Sequence, residues 1–391
     1  MTSRVPSCRA VPPGAVGYVV PVGVHGGAER VLLTVAARLG EHGGRGVWYS
    51  MRPGPVAAAA AAAGIPVRQF ADHRFRDLHR VAAGAAWLAR QFRRDGVDLV
   101  HASHGAHLYA WPAARLAGVP EVWHVHDYPY RFDPFEAVCR RLPADHTIFT
   151  TARVRSGHPL QRRRPHSIIE PWCLPDNAPA AAADDPALDP LPVRGRAFLL
   201  TVARLQEHKG HRVLLEALPA IVAAHPDVSW VVVGAAADPT QEAYRRTLGQ
   251  RAADLGLTDR VLVLGRVDDA TLARLYARAR AVVHPATTEG FGLSVLEAMA
   301  AGAPVVAADA DGPASIIGRS GAGLLAPRGD PVALAAAVCR VLADDALRWS
   351  LAERGRAFAA DRTAGRMVRA TVDVYRRTSA RWAARRHGRV R

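Results

Sequence analysis

The sequence predicts an α/β protein made of two Rossmann-like domains facing across a cleft. Three observations carry this reading. Short β-rich runs alternate with amphipathic helical stretches, the pattern of parallel strands joined by crossover helices. One aperiodic Pro/Ala/Asp stretch interrupts the alternation, which then starts again. The 391 residues also exceed one ordinary core, at roughly 100 to 200 residues per domain.

The first series comprises VGYVV near Val16, GVWY at Gly46, DLVHA at Asp98, VWHV at Val122, TIFTT at Thr147 and SIIE at Ser167. It sets the first domain at residues 1–178. The stretch PDNAPAAAADDPALDPLPVRGR places a linker at 179–196. The second series runs through FLLTV at Phe198, SWVVVG, VLVLG, AVVHP, APVVAA and GLLAP, a domain of residues 197–356. Residues 357–391 read as a helix with a basic tail, RWAARRHGRVR, expected to pack back toward the first domain.

Composition narrows the function classes. No run reaches the roughly 20 uninterrupted apolar residues of a membrane-spanning helix. Ala57 to Ala63 reads as a short turn or helix between Pro55 and Gly64. MTSRVPSCRA at the start lacks a hydrophobic signal core, so a cytoplasmic location is expected. Cys8, Cys139, Cys173 and Cys339 form no Cys-x-x-Cys pair, which signals neither a zinc knuckle nor a disulfide framework. Lys and Arg number 51 against 35 Asp and Glu, a net +16. That charge suits nucleic acid, anionic lipid or phosphorylated small molecules, but the chain is crowded with Ala, Arg, Gly and Pro throughout. Arg162, Arg163, Arg164 and the tail are scattered and form no nucleic-acid module, so nucleic acid is not expected as a partner. RFRDLHRVAAGAAWLARQFRRDG, from Arg74, sets basic residues beside an apolar face. It suits the surface of an anionic membrane or an ordinary surface helix.

The densest chemistry lies in HPATTEGFGLSVLEAMAAGAPVVAAD, where a strand hands over to a helix at the carboxyl end of a parallel sheet. Gly290 and Gly292 let the backbone approach a ligand, and amides around Leu293 and Ser294 favour a phosphate at the helix start. Glu289 and Glu297 stand eight residues apart, able to reach opposite ends of one sugar nucleotide. Ser294-x-x-Glu297 also fits a capping box, which would account for Glu297 without a ligand. Upstream, TVARLQEHKGHRVLLEAL puts Arg204 and Lys209 in a loop after a strand, two cations suited to a diphosphate or to a solvated basic loop.

These motifs resemble the donor domain of the family 4 retaining glycosyltransferases, which have the GT-B fold. The resemblance covers residues 198–344 and includes Arg204, Lys209 and Gly210, VVVGAAADP, LTDRVLVLGRVDDATLARLYARARAVVHPA, and Glu289 with Glu297. It implies that Glu289 and the amides of Gly290, Phe291, Gly292 and Leu293 hold the donor sugar. Glu297 would hold the ribose, Arg204 and Lys209 the diphosphate, and the backbone of Gly265, Arg266 and Val267 the nucleobase.

In the first half, VVPVGVHGGAERVLLTVAARL sets Gly26 and Gly27 between a strand and a helix, and G-x-G-x-x-G is absent, which argues against NAD or FAD. The family carries a similar glycine pair beside the diphosphate. His101, His104, His107, His124 and His126 cluster in VHASHGAHLYAW and VWHVHDYPY. A metal site is one reading, disfavoured by the mixed strand and loop positions; a polar lining of strand ends is the other. By the resemblance His126 stands near the donor sugar and the acceptor hydroxyl, and Asp127 fixes either chemistry or the loop. Two departures touch the acceptor side: IIEPWCLPDNAP replaces an Asn-Gly-Val-Asp turn, and Thr150 or Thr151 replaces a serine.

The expected reaction is sugar transfer from a UDP- or GDP-sugar with retention, by front-face attack, needing no metal or cofactor. Its catalytic residues would be His126, Glu289, Arg204 and Lys209. The acceptor is a small natural product or a lipid-linked cell-envelope hydroxyl, with peripheral contact to the inner membrane face as one option. The alternative is an NDP-sugar epimerase or a sugar phosphorylase on the same fold.

Overall fold

A computed structural model describes residues 14–20, 26–51, 54–70, 78–128, 134–172, 197–236 and 238–387. The expected linker at 179–196, Cys8, Cys173 and the last four residues of the basic tail lie outside them. The chain divides into two compact units, Met1–Cys173 with Ala364–Arg391, and Leu174–Thr363.

The first unit holds seven strands: β1 (Ala15–Val20), β2 (Arg45–Ser50), β3 (Val67–Gln69), β4 (Leu99–Ser103), β5 (Glu121–Val125), β6 (His146–Phe149) and β7 (His166–Ile168). Their order is β3-β2-β1-β4-β5-β6-β7, and every pairing is parallel. All residues of β1, β4 and β5 are buried, as befits a parallel sheet covered on both faces. Tyr49, Leu88, Phe92, Tyr109 and Trp123 pack in one core cluster. The final helix, Ala364–His387, buries Val368, Val372 and Tyr375 and lies against β5 and the Gly27–Ala37 helix. The alanine run forms the helix Pro55–Ala62, started by its proline.

The second unit holds β8 (Ala197–Val202), β9 (Val228–Val233), β10 (Val261–Gly265), β11 (Ala281–His284), β12 (Val305–Ala308) and β13 (Gly323–Ala326). Their order is β10-β9-β8-β11-β12-β13, again all parallel. In both units the strand order reverses beside the first strand, between β1 and β4 and between β8 and β11. Loops leaving the carboxyl ends of such a pair run in opposite directions and open a crevice.

The expected boundary between residues 356 and 357 is corrected to 363/364. One helix, Asp345–Ala360, runs through the expected position. A Cβ on its Gly355 would stand 3.2 Å from Met299 Cα, so the helix packs tightly on the second unit. Ala and Arg fill both flanking helices alike, leaving no compositional mark at the true break. No helix among the described residues is long and apolar enough to cross a membrane.

Candidate functional site

In the second unit, the loops that leave β8 and β11 meet at the strand-order reversal. Gly210 ends the first loop with φ +71°, and a Cβ there would lie 1.9 Å from the Pro285 carbonyl oxygen of the second. Only glycine permits both this backbone conformation and this approach. The Thr287 amide donates to His208 O at 2.9 Å, which closes the loops on each other.

That closure brings Lys209 to Glu289, with Nζ 2.8 Å from Oε2. His284, the last residue of β11, places Nε2 3.3 Å from the same oxygen. Its Nδ1 is 3.1 Å from Ser294 Oγ, so Ser294, His284, Glu289 and Lys209 form one connected row. Burial pushes the Glu289 carboxyl up, but the Lys209 charge and the His284 contact outweigh it and hold the group well below the usual carboxylate range. Arg204, in the same loop as Lys209, is exposed, and among the described residues its side chain makes no hydrogen bond or ion pair.

The capping-box reading of Ser294 and Glu297 fails. The helix spans Leu293–Ala301, and its N-cap is Gly292 at φ +93°. Ser294 lies inside the first turn with its hydroxyl committed to His284, while Glu297 accepts from the Tyr276 hydroxyl at 2.9 Å. The first amide to bond back is that of Val295, to Gly292 O at 3.0 Å. Leu293 and Ser294 thus present amides at the positive end of the helix dipole. Gly290 and Phe291 are buried beneath this turn, and the Gly312 amide donates to Glu289 O at 3.1 Å, fixing the loop from the next connection.

Gly265, at φ +71°, ends β10 at a register irregularity, and its carbonyl accepts from the Gly234 amide at 2.8 Å. Arg266 is exposed and Val267 half-buried. β10 stands three strand spacings from β11, about 14 Å at ~4.8 Å each. The row of strand ends therefore offers separated places for two ends of an elongated ligand.

In the first unit Gly26 caps the helix Gly27–Ala37, and Gly27 is exposed as its first residue. The histidines fall into two groups. His107 bonds Glu121 Oε1 at 2.8 Å through Nδ1 and stacks on Trp123, a satisfied core residue. His101, His124, His126 and His104 line up along the ends of β4 and β5. His101 Nε2 is 3.2 Å from His124 Nδ1, the rings of His124 and His126 stack at 4.0 Å, and those of His126 and His104 are 5.0 Å apart. Burial, reinforced by neighbouring histidines, pushes His124 and His126 well below the ordinary imidazole range. His104 adopts φ +46°, an uncommon left-handed conformation for a non-glycine residue, of the kind found at functional sites. Its Nε2 lies 3.8 Å from an exposed Asp127 carboxylate. Among the described residues no group of three or more His, Cys, Asp or Glu is placed to hold a metal ion. The two threonines divide the work expected of one serine: Thr150 Oγ1 donates to His126 O at 3.0 Å, and Thr151 Oγ1 caps a short helix by accepting from Val154 N at 3.1 Å.

The amphipathic segment from Arg74 forms the helix Leu78–Arg94, whose Ala85, Leu88, Ala89 and Phe92 are buried in the first unit's core while Arg90, Arg93 and Arg94 face outward. The apolar face that a membrane-surface role requires is thus used within the fold.

Comparison with known proteins agrees with the fold and the motifs. The family model for glycosyl transferases group 1 matches residues 189–358, and that for glycosyltransferase family 4 matches residues 25–162. The 2-deoxystreptamine glucosyltransferase of Streptomyces kanamyceticus is 30% identical over 319 residues, 74% of this chain and 81% of that enzyme. The chain belongs to glycosyltransferase family 4. Another member, a phosphatidyl-myo-inositol mannosyltransferase of Mycolicibacterium smegmatis, is 39% identical over 170 residues, 43% of this chain and only 42% of the length of that relative. Among solved structures, Anabaena HepE in complex with UDP and glucose superposes with a TM-score of 0.80 at 24% identity, covering 92% of this chain and 98% of that one. The fold of this family 4 member is GT-B.

Two contributors escape a reading of the motifs alone. His284 was visible as a polar residue closing the apolar run AVVH, the sort of strand-end position that faces a ligand. Tyr276 carries no local signal, because its meeting with Glu297 depends on how two helices pack.

Proposed function

We propose that the chain transfers a sugar from a nucleoside diphosphate sugar, with UDP or GDP as the nucleotide, to a hydroxyl group, with retention and without a metal ion. The observation that carries this reading is the Lys209–Glu289 pair at the strand-order reversal, beside the amides of Leu293 and Ser294 and the unpaired Arg204.

Each group then has a task. Lys209 spends one hydrogen on Glu289 and has two for phosphate oxygens, which the Arg204 fork also meets. The Leu293 and Ser294 amides add donors at the helix start. Glu289 takes the Lys209 and His284 contacts on Oε2 and has Oε1 to accept from sugar hydroxyls. Glu297, steadied by Tyr276, meets the ribose, and the backbone of Gly265, Arg266 and Val267 meets the base. The family resemblance also assigns Gly26 and Gly27 to the diphosphate, and His126 to the donor sugar and the acceptor hydroxyl.

In the reaction the bond from the anomeric carbon to the phosphate oxygen breaks and its electron pair stays on that oxygen. The acceptor oxygen bonds to the carbon on the same face, and its proton passes to the departing phosphate. Preorganised cations and amides stabilise the charge on the leaving diphosphate, at about 3 kcal/mol for one well-placed donor. Glu289 has Oε2 engaged by Lys209 and His284, which pin the carboxylate and lower its nucleophilicity, and this favours the front-face route. The Streptomyces kanamyceticus relative supports a small polyhydroxylated ring as acceptor.

A thermal-shift screen of UDP-, GDP- and dTDP-sugars tests the reading. One nucleotide should raise the melting temperature of the wild type and fail to do so with Lys209→Ala. Turnover should persist in EDTA. If no nucleotide stabilises the protein, or if incubation with donor alone converts the sugar to its epimer, the proposal is wrong.

A further inference from the structure

The row of histidines in the first unit continues into the C-terminal helix. Tyr375, on that helix, places its hydroxyl 2.6 Å from His101 Nδ1. His101 Nε2 meets His124 Nδ1 at 3.2 Å, with the two rings only 10° from parallel. His124 then stacks on His126 at 4.0 Å. The alternation of side chains along a strand explains the alignment: His101 and Ser103 share one face of β4, Ser103 stands in register with His124 of β5, and His126 follows His124 by two residues. We propose that Tyr375, His101 and His124 are positioning residues for His126, so that the C-terminal helix sets the geometry of a group serving the transfer reaction. This inference rests on the reading of His126 given above.

The chain of hydrogen bonds has only two concerted arrangements. If the Tyr375 hydroxyl donates to His101 Nδ1, His101 carries its hydrogen on Nε2, donates to His124 Nδ1, and leaves His124 with a hydrogen on Nε2. If Tyr375 accepts instead, every hydrogen moves to the other nitrogen and His124 Nε2 becomes bare. One phenol thus decides whether His124 Nε2 donates or accepts, two side chains away. The Tyr18 hydroxyl, 3.4 Å from that of Tyr375, biases the choice from β1.

Packing alone does not account for this row. The Nε2 atoms of both His124 and His126 are buried with no hydrogen-bond partner in the structure. Buried polar atoms left in that state cost about 1–3 kcal/mol each, where apolar side chains of similar shape would cost nothing. A fold that keeps two of them at strand ends, beside the strained His104, retains them for something other than cohesion. The neutral, stacked rings fix the tilt of His126, and the bonds along the chain stop His124 from turning out of the stack.

A double-mutant cycle tests the coupling. Tyr375→Phe keeps the ring and removes the hydroxyl. It should lower kcat about tenfold with donor KM within about twofold of wild type, and in a His126→Ala background it should add less than a further twofold. His124→Phe, which keeps a flat ring but ends the chain, should reproduce the Tyr375→Phe defect. Imidazole nitrogen NMR should find His101 and His124 in matching tautomers in the wild type and altered together in Tyr375→Phe. Equal losses from Tyr375→Phe in both backgrounds, or unchanged tautomers, would overturn the inference. Wild-type turnover by His126→Ala would instead overturn the role given to His126, while the tautomer measurement still decides whether the chain exists.

Discussion

Lys209 and Glu289 stand 80 positions apart in the sequence, yet their charged atoms meet at 2.8 Å. Both side chains are largely shielded, 14% and 17% exposed, so the pair is neither a loose surface contact nor fully dry. Each charge depends on the other for its place. In water-poor surroundings a charge whose partner is removed is left uncompensated, which costs more than the intact pair contributes.

Removing the lysine charge should therefore affect both turnover and stability. Lys209→Ala is expected to lower kcat about 100-fold, the loss of roughly 3 kcal/mol of transition-state stabilisation. Glu289→Gln should lower it to a similar degree. The double variant should lose less stability than the sum of the single ones, which thermal melts of all four proteins would show.

Ser294 separates two accounts of the helix start. With its hydroxyl bound to His284, Ser294→Ala should leave the melting temperature within a few degrees and reduce turnover several-fold by loosening His284 behind Glu289. A cap residue would behave in the opposite manner, with a stability loss of about 1 kcal/mol and little kinetic effect. Parallel melts and initial rates discriminate.

Gly210 is a test of the loop closure. A methyl group there would collide with the Pro285 carbonyl at 1.9 Å in a left-handed backbone conformation. Gly210→Ala should destabilise the fold by about 3 kcal/mol or more, and move Lys209 away from Glu289. Urea unfolding, with the slope compared to that of the wild type, measures the loss.

Acid should weaken the first unit. Burial lowers His101 to about 3, and burial together with Arg381 lowers His146 to about 3. In the unfolded chain both groups take up a proton near pH 6.5, so below that pH the unfolded state binds more protons and stability falls. The contribution is complete above pH 6.5 and is lost progressively toward pH 3, about 2 kcal/mol for each group by pH 5 at ~1.4 kcal/mol per unit. Melts followed by tryptophan fluorescence should show a lower midpoint at pH 5 than at pH 7.5, and a smaller difference in His101→Phe.

Much of this was legible from residue patterns. Every strand expected in either half is present, because apolar runs bounded by turns are what a two-faced parallel sheet demands. Arg204, Lys209 and Glu289 stood out because each sits in a glycine-bearing loop that follows a strand of the second unit. The break before Ala364 was hidden because helical composition continues across it. The role of Ser294 was ambiguous since Ser-x-x-Glu states only a local preference, which His284 overrode through a contact across the loop. The bond from His101 to Tyr375 joins β4 to a helix 274 positions away, a relation no local pattern records.

The most direct test of the account is the anomeric configuration of the product, read by proton NMR during turnover of the stabilising donor with a ring polyol acceptor. Retained configuration, with release of the nucleoside diphosphate and a loss of about 100-fold in Lys209→Ala, is the predicted result. An inverted product, or turnover in Lys209→Ala equal to that of the wild type, would contradict it.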